Sequence, residues 1–282
     1  MRARSWRAVP LALAAVLAAC GGATVPDNSS FPPAPPRRRL VDVPDAALAR
    51  LSGRVMLFGH QSVGANLLQG IREWGQRDPR VPRRIQGLRE AGAAAIGGGA
   101  LLTTTIGTNG QPGRKTDDFV AALASPAGRQ ATLALHKYCY LDFEPATDPA
   151  RVFADYRAQV ERVRAARPDL VLVHVTVPVR AREPWYKTLL KRLLRRTTAD
   201  DLNVKRAAYN ALVLDAYRGK EPVFDLAGYE STGPDGRRVG VLRDGKAVPA
   251  LAPAWTDDGS HLNAEGRRML AEQFLVFLAG LP

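Results

Sequence analysis

The sequence predicts an α/β protein, a three-layer α/β/α sandwich around a mainly parallel central sheet. Two observations predict the architecture and a third places its working end. Short apolar, β-prone runs at residues 54–58, 131–135, 169–177 and 223–226 alternate with longer segments whose apolar residues recur every three or four positions. The strongest run, Asp-Leu-Val-Leu-Val-His-Val-Thr-Val at 169–177, is apolar at both alternating faces, as a strand covered by helices on both sides must be. Polar residues follow the runs, among them Ser62 and Lys137, and the carboxyl ends of parallel strands are where such sheets bind ligands.

Along the chain, Arg-Val-Met-Leu-Phe at 54–58 is a strand broken by Gly59-His60-Gln61-Ser62, and 63–74 reads as a helix with Leu67, Leu68, Ile71 and Trp74 on one side. Residues 91–113 are rich in Gly and Thr and read as loop and short strand, followed by a short helix over 116–123. A buried strand at 131–135 leads to His136-Lys137-Tyr138-Cys139-Tyr140. Helices are predicted over 149–166, 184–198 and 204–217, the second of them basic and amphipathic. Two turn signals, Pro234-Asp235-Gly236 and Asp244-Gly245, place a hairpin within 230–253, and a last amphipathic helix covers 263–278.

The N-terminus reads as an address. Arg2, Arg4 and Arg7 precede an apolar run from Val9 to Ala19, the pattern of a secretory signal, too short to span a bilayer comfortably. It ends in Leu17-Ala18-Ala19-Cys20-Gly21, which matches the bacterial lipobox, so Cys20 is the expected site of lipidation. The prolines of Pro32-Pro33-Ala34-Pro35-Pro36 favour extended backbone and suggest a semi-rigid tether. The expected division is therefore a lipoprotein signal at 1–19, a lipidated Cys and tether at 20–40, and one domain at 41–282. The product is an exported, membrane-anchored lipoprotein facing the periplasm or the cell exterior.

The net charge of +13 favours anionic surroundings, but no zinc-finger spacing or aromatic RNA-binding motif accompanies it, so no specific nucleic-acid partner is expected. The basic run from Lys187 to Arg196 reads as a solvated helix face that could also contact anionic lipid or polymer. With Cys20 lipidated, Cys139 has no disulfide partner, and four histidines without metal-ligand spacing predict no metal site.

Chemistry concentrates at two places. Ser62 stands at a strand-to-helix turn, where a hydroxyl is exposed and helix N–H groups are near; a plain helix cap would use the same residue. Asp258 and His261, in Asp257-Asp258-Gly259-Ser260-His261-Leu262-Asn263, have a spacing at which a turn lets the carboxylate orient the imidazole.

Together these blocks resemble the SGNH (GDSL-like) serine hydrolases, which carry a Ser block after the first strand and a D-x-x-H block before the last helix. Phe58-Gly59-His60-Gln61-Ser62-Val63-Gly64 resembles the first, and Asp258-Gly259-Ser260-His261-Leu262-Asn263 the second; the order covers nearly all of 51–280. The resemblance implies a flavodoxin-like fold with Ser62 as nucleophile, His261 as general base and acid, and Asp258 as its orienter. The family's Asp before the Ser is Gln61 here. Its oxyanion Gly aligns with Gly113, with Gly110 and Asn109 as alternatives. Its Asn after a central strand is absent from Lys137-Tyr138-Cys139-Tyr140-Leu141-Asp142, leaving Asn109 or Lys137 as the second oxyanion donor. His60 in place of a first Gly speaks against the Gly-x-Ser-x-Gly elbow of α/β-hydrolases. The implied activity is that of an envelope esterase or deacylase acting on an O-acyl ester of a carbohydrate or small molecule, without cofactor. An O-acyltransferase on the same site and a non-catalytic binding lipoprotein are its rivals.

Overall fold

The computed structural model describes residues 26–282; the expected signal segment at 1–19 and Cys20 lie outside the described residues. The sheet is built from β1 (Val55–His60), β2 (Ile85–Gly87), β3 (Ala100–Thr105), β4 (Leu133–His136), β5 (Val171–Val175) and β6 (Val223–Phe224). Its order is β2-β3-β1-β4-β5-β6 and every pairing is parallel. The helices are α1 (Asp45–Gly53), α2 (Ser62–Arg77), α3 (Leu88–Ala91), α4 (Pro112–Ala124), α5 (Pro149–Ala166), α6 (Trp185–Leu193), α7 (Ala199–Tyr217), α8 (Leu226–Glu230) and α9 (Ala264–Ala279).

Strand alternation separates two cores, because successive side chains point to opposite faces. Met56, Phe58, Leu133, Leu135, Val173 and Val175 pack under α1, α2 and α9 with Leu48, Leu68, Ile71, Leu270 and Phe274. Leu57, Leu102, Ala134 and Leu172 pack under α4, α5 and α7 with Phe119, Val152, Tyr156, Val160 and Tyr209. This is the three-layer α/β/α sandwich expected. Among the described residues, all members of both cores fall between Leu40 and Leu281.

Several elements differ from the sequence reading. Ala100, Leu101 and Leu102 are buried and the three threonines after them continue the pairing with Phe58, Gly59 and His60, so β3 is a full strand beside β1 rather than mostly loop. Thr198 and Asp201 close a reciprocal cap, which starts α7 at Ala199 instead of 204. The strand β2 and the helix α1 carried no signal that we read. The hairpin expected within 230–253 forms as β7 (Gly240–Arg243) and β8 (Lys246–Pro249), with Asp244 and Gly245 both at positive φ, as a two-residue turn requires.

Residues 32–39 form neither helix nor strand, and residues 26–40 lie along the body instead of standing off it. Phe31 and Leu40 are buried, Arg37 donates to Gly233 O and Thr232 O, and the Arg38 and Leu40 amides bond Gln273 and Glu272 of α9. No helix among the described residues is long and apolar enough to cross a membrane.

The chain leaves β1 toward one edge of the sheet, through β2 and β3, and then crosses to β4 on the other side of β1. The carboxyl end of β1 is therefore the topological switch point, where outgoing loops diverge and leave a crevice.

Candidate active site

Ser62 occupies this switch point. Gln61 is the last extended residue after β1, and Ser62 opens α2, exposed, with the leading N–H groups of the helix lacking intrahelical acceptors. The glycines around it have steric reasons. A Cβ at Gly59 would stand 3.1–3.2 Å from Ile106 and His136 side-chain atoms, and one at Gly64 only 2.3 Å from His60 Cβ. His60 is thus packed against the first turn of α2, with Nδ1 on Gln61 O at 3.1 Å, and burial lowers its pKa, which keeps it neutral. Gln61 ties the Ser turn to the loop after β3: its Nε2 donates to Ile106 O at 2.6 Å and to Gly107 O at 3.0 Å.

Asp258 and His261 form a closed unit. Gly259, at φ 77°, turns the chain so that Asp258 Oδ1 accepts from the Ser260 and His261 amides, both at 2.7 Å, while Oδ2 accepts from His261 Nδ1 at 2.7 Å. Burial pushes the Asp258 carboxyl up, but these bonds and the imidazolium charge outweigh it and hold the group well below the usual carboxylate range. Asp258 thus stays ionised and fixes a tautomer in which Nε2 is the free, basic nitrogen.

Two contacts bring the unit to Ser62. Asn66, one turn beyond Ser62 on α2, accepts from the Leu262 amide at 3.3 Å. Val63 packs with Cys139 and Tyr140, and the Tyr140 ring meets the His261 ring edge-on at 6.1 Å. A third contact holds the unit to the segment after β5, where the Ala181 amide donates to Gly259 O at 3.0 Å. Among the described residues, neither Ser62 Oγ nor His261 Nε2 is engaged in a protein hydrogen bond, so both remain available; in the absence of substrate such bonds are often long.

The loop from Ile106 to Gln111 is held by a buried pair that the sequence reading missed. Lys115 Nζ lies 2.7 Å from both Asp142 oxygens, and both side chains are fully buried. Asp142 also accepts from the Gly110 amide at 2.9 Å and the Cys139 amide at 2.6 Å, so one carboxylate joins the loops after β3 and β4. Lys115 Nζ donates in addition to Asn109 Oδ1 at 2.9 Å, which leaves the Asn109 amide nitrogen as the outward donor. Gly107, at φ 53°, must be glycine, since a Cβ there would lie 2.6 Å from Lys115 Cγ.

The oxyanion candidates are sorted by these bonds. The Gly110 N–H is consumed by Asp142. Gly113 lies exposed in the first turn of α4, where an N–H has no intrahelical acceptor. Lys137, offered above as a donor, is buried with its Nζ on Tyr138 O at 3.2 Å and does not reach the surface. Cys139 is a free thiol, fully buried. His174 is a satisfied core histidine between Tyr156 Oη and Glu221. His136 is enclosed by Phe119, Tyr138 and Tyr156, and burial lowers its pKa to about 3. Among the described residues no group of three His, Cys, Asp or Glu is placed to hold a metal.

The site's flank is basic. Tyr140 carries the Arg180 and Arg206 guanidinium groups, each 5.7 Å from its ring centre, on a ring whose edge meets His261. Beneath them Glu230, fully buried, accepts from the Val179 amide at 2.9 Å, and burial raises its pKa to about 8.

No family model and no curated protein matches the chain. Solved structures do resemble it. A lipase/acylhydrolase from Enterococcus faecalis is 12% identical, with a TM-score of 0.47 over 80% of this chain and 96% of that one. An acetyl xylan esterase is 15% identical, with a TM-score of 0.45 over 79% and 98%. A carbohydrate acetylesterase from Sinorhizobium meliloti is 12% identical, with a TM-score of 0.45 over 81% and 100%.

Proposed function

We propose that this chain is a serine esterase or deacylase of the SGNH type. The observation that carries the reading is the Asp258–His261 unit, closed by three bonds of 2.7 Å and packed against the first turn of α2, where Ser62 is exposed at the switch point of the sheet. A binding scaffold has no need of a carboxylate-oriented imidazole beside an exposed serine.

The chemistry follows from the positions. His261 Nε2 takes the Ser62 proton as Oγ adds to the ester carbonyl, and Asp258 steadies the imidazolium that forms. The N–H groups at the start of α2 receive the developing oxyanion, with Asn109 Nδ2 or the Gly113 N–H as the second donor. His261 then gives its proton to the departing alcohol, leaving an acyl-Ser62 ester. Water, deprotonated by His261, attacks that ester, and Ser62 is regenerated as the acid leaves. Hydrolysis is favoured over acyl transfer by exposure: the Asp258 and His261 side chains retain 55% and 40% of their accessible surface, so water reaches the acyl-enzyme freely. The substrate class we propose is an O-acyl ester, carbohydrate-linked or small, in the cell envelope, reached by export and by lipidation at Cys20. The likeness to an acetyl xylan esterase and a carbohydrate acetylesterase agrees with that class without bearing its weight.

The test is hydrolysis of short-chain p-nitrophenyl esters by the purified chain from Gly21 onward. Turnover that falls at least 10³-fold in Ser62→Ala and in His261→Ala is expected, with both variants folded. Equal rates in all three proteins would remove the esterase reading.

A further inference from the structure

The helix α6 is built inside out. Trp185, Tyr186, Leu189, Leu190 and Leu193 recur at the spacing of one helical stripe, continued by Leu194, and this stripe faces solvent. Trp185 is 77% exposed, Leu193 73% and Leu190 57%, and no residue of the helix is buried. The polar side faces the protein instead: Thr188 and Lys191 are the half-covered residues, and Lys191 Nζ is paired with Glu183. A surface helix normally does the reverse, because each apolar side chain left in water forgoes its burial free energy.

The charge around the stripe says what covers it. Between Trp185 and Thr198 there are five Lys and Arg and no Asp or Glu. Lys187, Arg192, Arg195 and Arg196 are exposed and flank the apolar stripe. Tryptophan, tyrosine and leucine outward with cations at the margins is the pattern of a helix lying in the plane of a lipid interface, apolar side among the acyl chains and cations at the headgroups. A protein partner would need a matching acidic rim around an apolar groove, whereas an anionic bilayer offers both with no shape requirement.

We propose that α6 is an interfacial anchor that seats this face of the domain on an anionic membrane. The placement relates to the site. Ala181 is bonded to Gly259 of the Asp258–His261 turn, and four residues from Ala181 to Trp185 span at most about 14 Å. The membrane contact therefore lies on the side of the molecule that carries Ser62. The anchor is distinct from the lipidation expected at Cys20 and would add a second, separate contact with the membrane. Neither the anchor nor its test depends on the esterase reading.

The experiment uses the chain from Gly21 onward, which holds the whole described interior and lacks any lipid. It is sedimented with vesicles of phosphatidylcholine containing 30% phosphatidylglycerol, and with phosphatidylcholine alone. Expected is binding to the anionic vesicles more than tenfold tighter than to neutral ones, weakened by 0.5 M salt, with a blue shift of Trp185 emission on binding. Trp185→Ser/Leu190→Ser/Leu193→Ser should weaken binding to anionic vesicles more than tenfold, and Lys187→Gln/Arg192→Gln/Arg195→Gln/Arg196→Gln should abolish the preference for them. Thermal unfolding and soluble-ester turnover of both variants should match the parent, which separates loss of the anchor from loss of fold or of catalysis. Absence of binding to anionic vesicles by the folded parent would overturn the proposal. So would a concentration-dependent dimer in solution that the apolar variant dissolves, since the stripe would then be an interface between copies.

Discussion

A carboxylate–ammonium pair and a carboxylate–imidazole pair lie at the same end of the sheet, both 2.7 Å apart, in opposite surroundings. Lys115–Asp142 is fully buried, and the Asp142 carboxylate also accepts from the Gly110 and Cys139 backbone amides. Asp258–His261 is open to water on one side. Burial makes the first pair a staple: neither side chain can move away without leaving an uncompensated charge in the interior. Exposure leaves the second pair within reach of water and of a bound ligand, while bonds from the backbone keep its geometry. The difference between a loop staple and the proton relay proposed above is set by solvent access rather than by residue type.

That comparison predicts a reciprocal pattern of damage. Asp258→Asn should cost on the order of 10⁴-fold in kcat, because the amide no longer selects the tautomer with a free Nε2. Its effect on unfolding by urea should stay below about 1 kcal/mol, as for other exposed pairs. Lys115→Met should invert this. It strands Asp142 in the interior at a cost of about 3–5 kcal/mol in the same unfolding measurement, and turnover should drop mainly as the Gly110 and Asn109 loop loosens. If the two variants damaged stability and rate alike, the division of labour would fail.

A third variant sharpens the contrast by pH. Glu230 is held at about 8 in the folded protein, against an ordinary value of 4.5. The folded state therefore keeps a proton that the unfolded chain releases between these values. The stability tied to that proton is complete below about 4.5 and is lost as the pH rises toward 8, at up to about 1.4 kcal/mol per unit. Glu230→Gln keeps an acceptor for the Val179 amide and carries no charge, so unfolding measured across this window should be flatter with pH than in the parent. The smallest effect is expected at Gln61. Gln61→Ala removes two bonds to the Ile106 and Gly107 carbonyls and should cost about 1 kcal/mol in unfolding, with a several-fold loss of turnover.

What the sequence disclosed was local. The strand before Ser62, the helices at 149–166 and 263–278, the strand around His174 and the Asp244-Gly245 turn all follow from periodicity or turn chemistry over a few residues. The Asp258–His261 pairing was legible because only two residues separate them. The rest depended on contacts distant in sequence. Lys115 and Asp142 are 27 positions apart, and neither residue type predicts burial. The strand β3 ends in threonines whose pairing with β1 no local pattern reveals, and β2 is three half-buried residues. The prolines suggested a spacer, whereas the burial of Phe31 and Leu40 that lays residues 26–40 along the body is a tertiary fact. The amphipathic character of residues 184–198 was plain, but only the fold shows that its apolar side turns outward.

The most direct test of the central claim, that Ser62 is a nucleophile activated by His261, is covalent capture. The protein is incubated with a fluorophosphonate, digested and analysed by mass spectrometry. The account predicts one phosphonyl adduct, on the peptide containing Ser62, absent in Ser62→Ala and formed at least a hundredfold more slowly in His261→Ala. An unmodified Ser62 in folded protein, or an adduct carried equally by other serines, would contradict it.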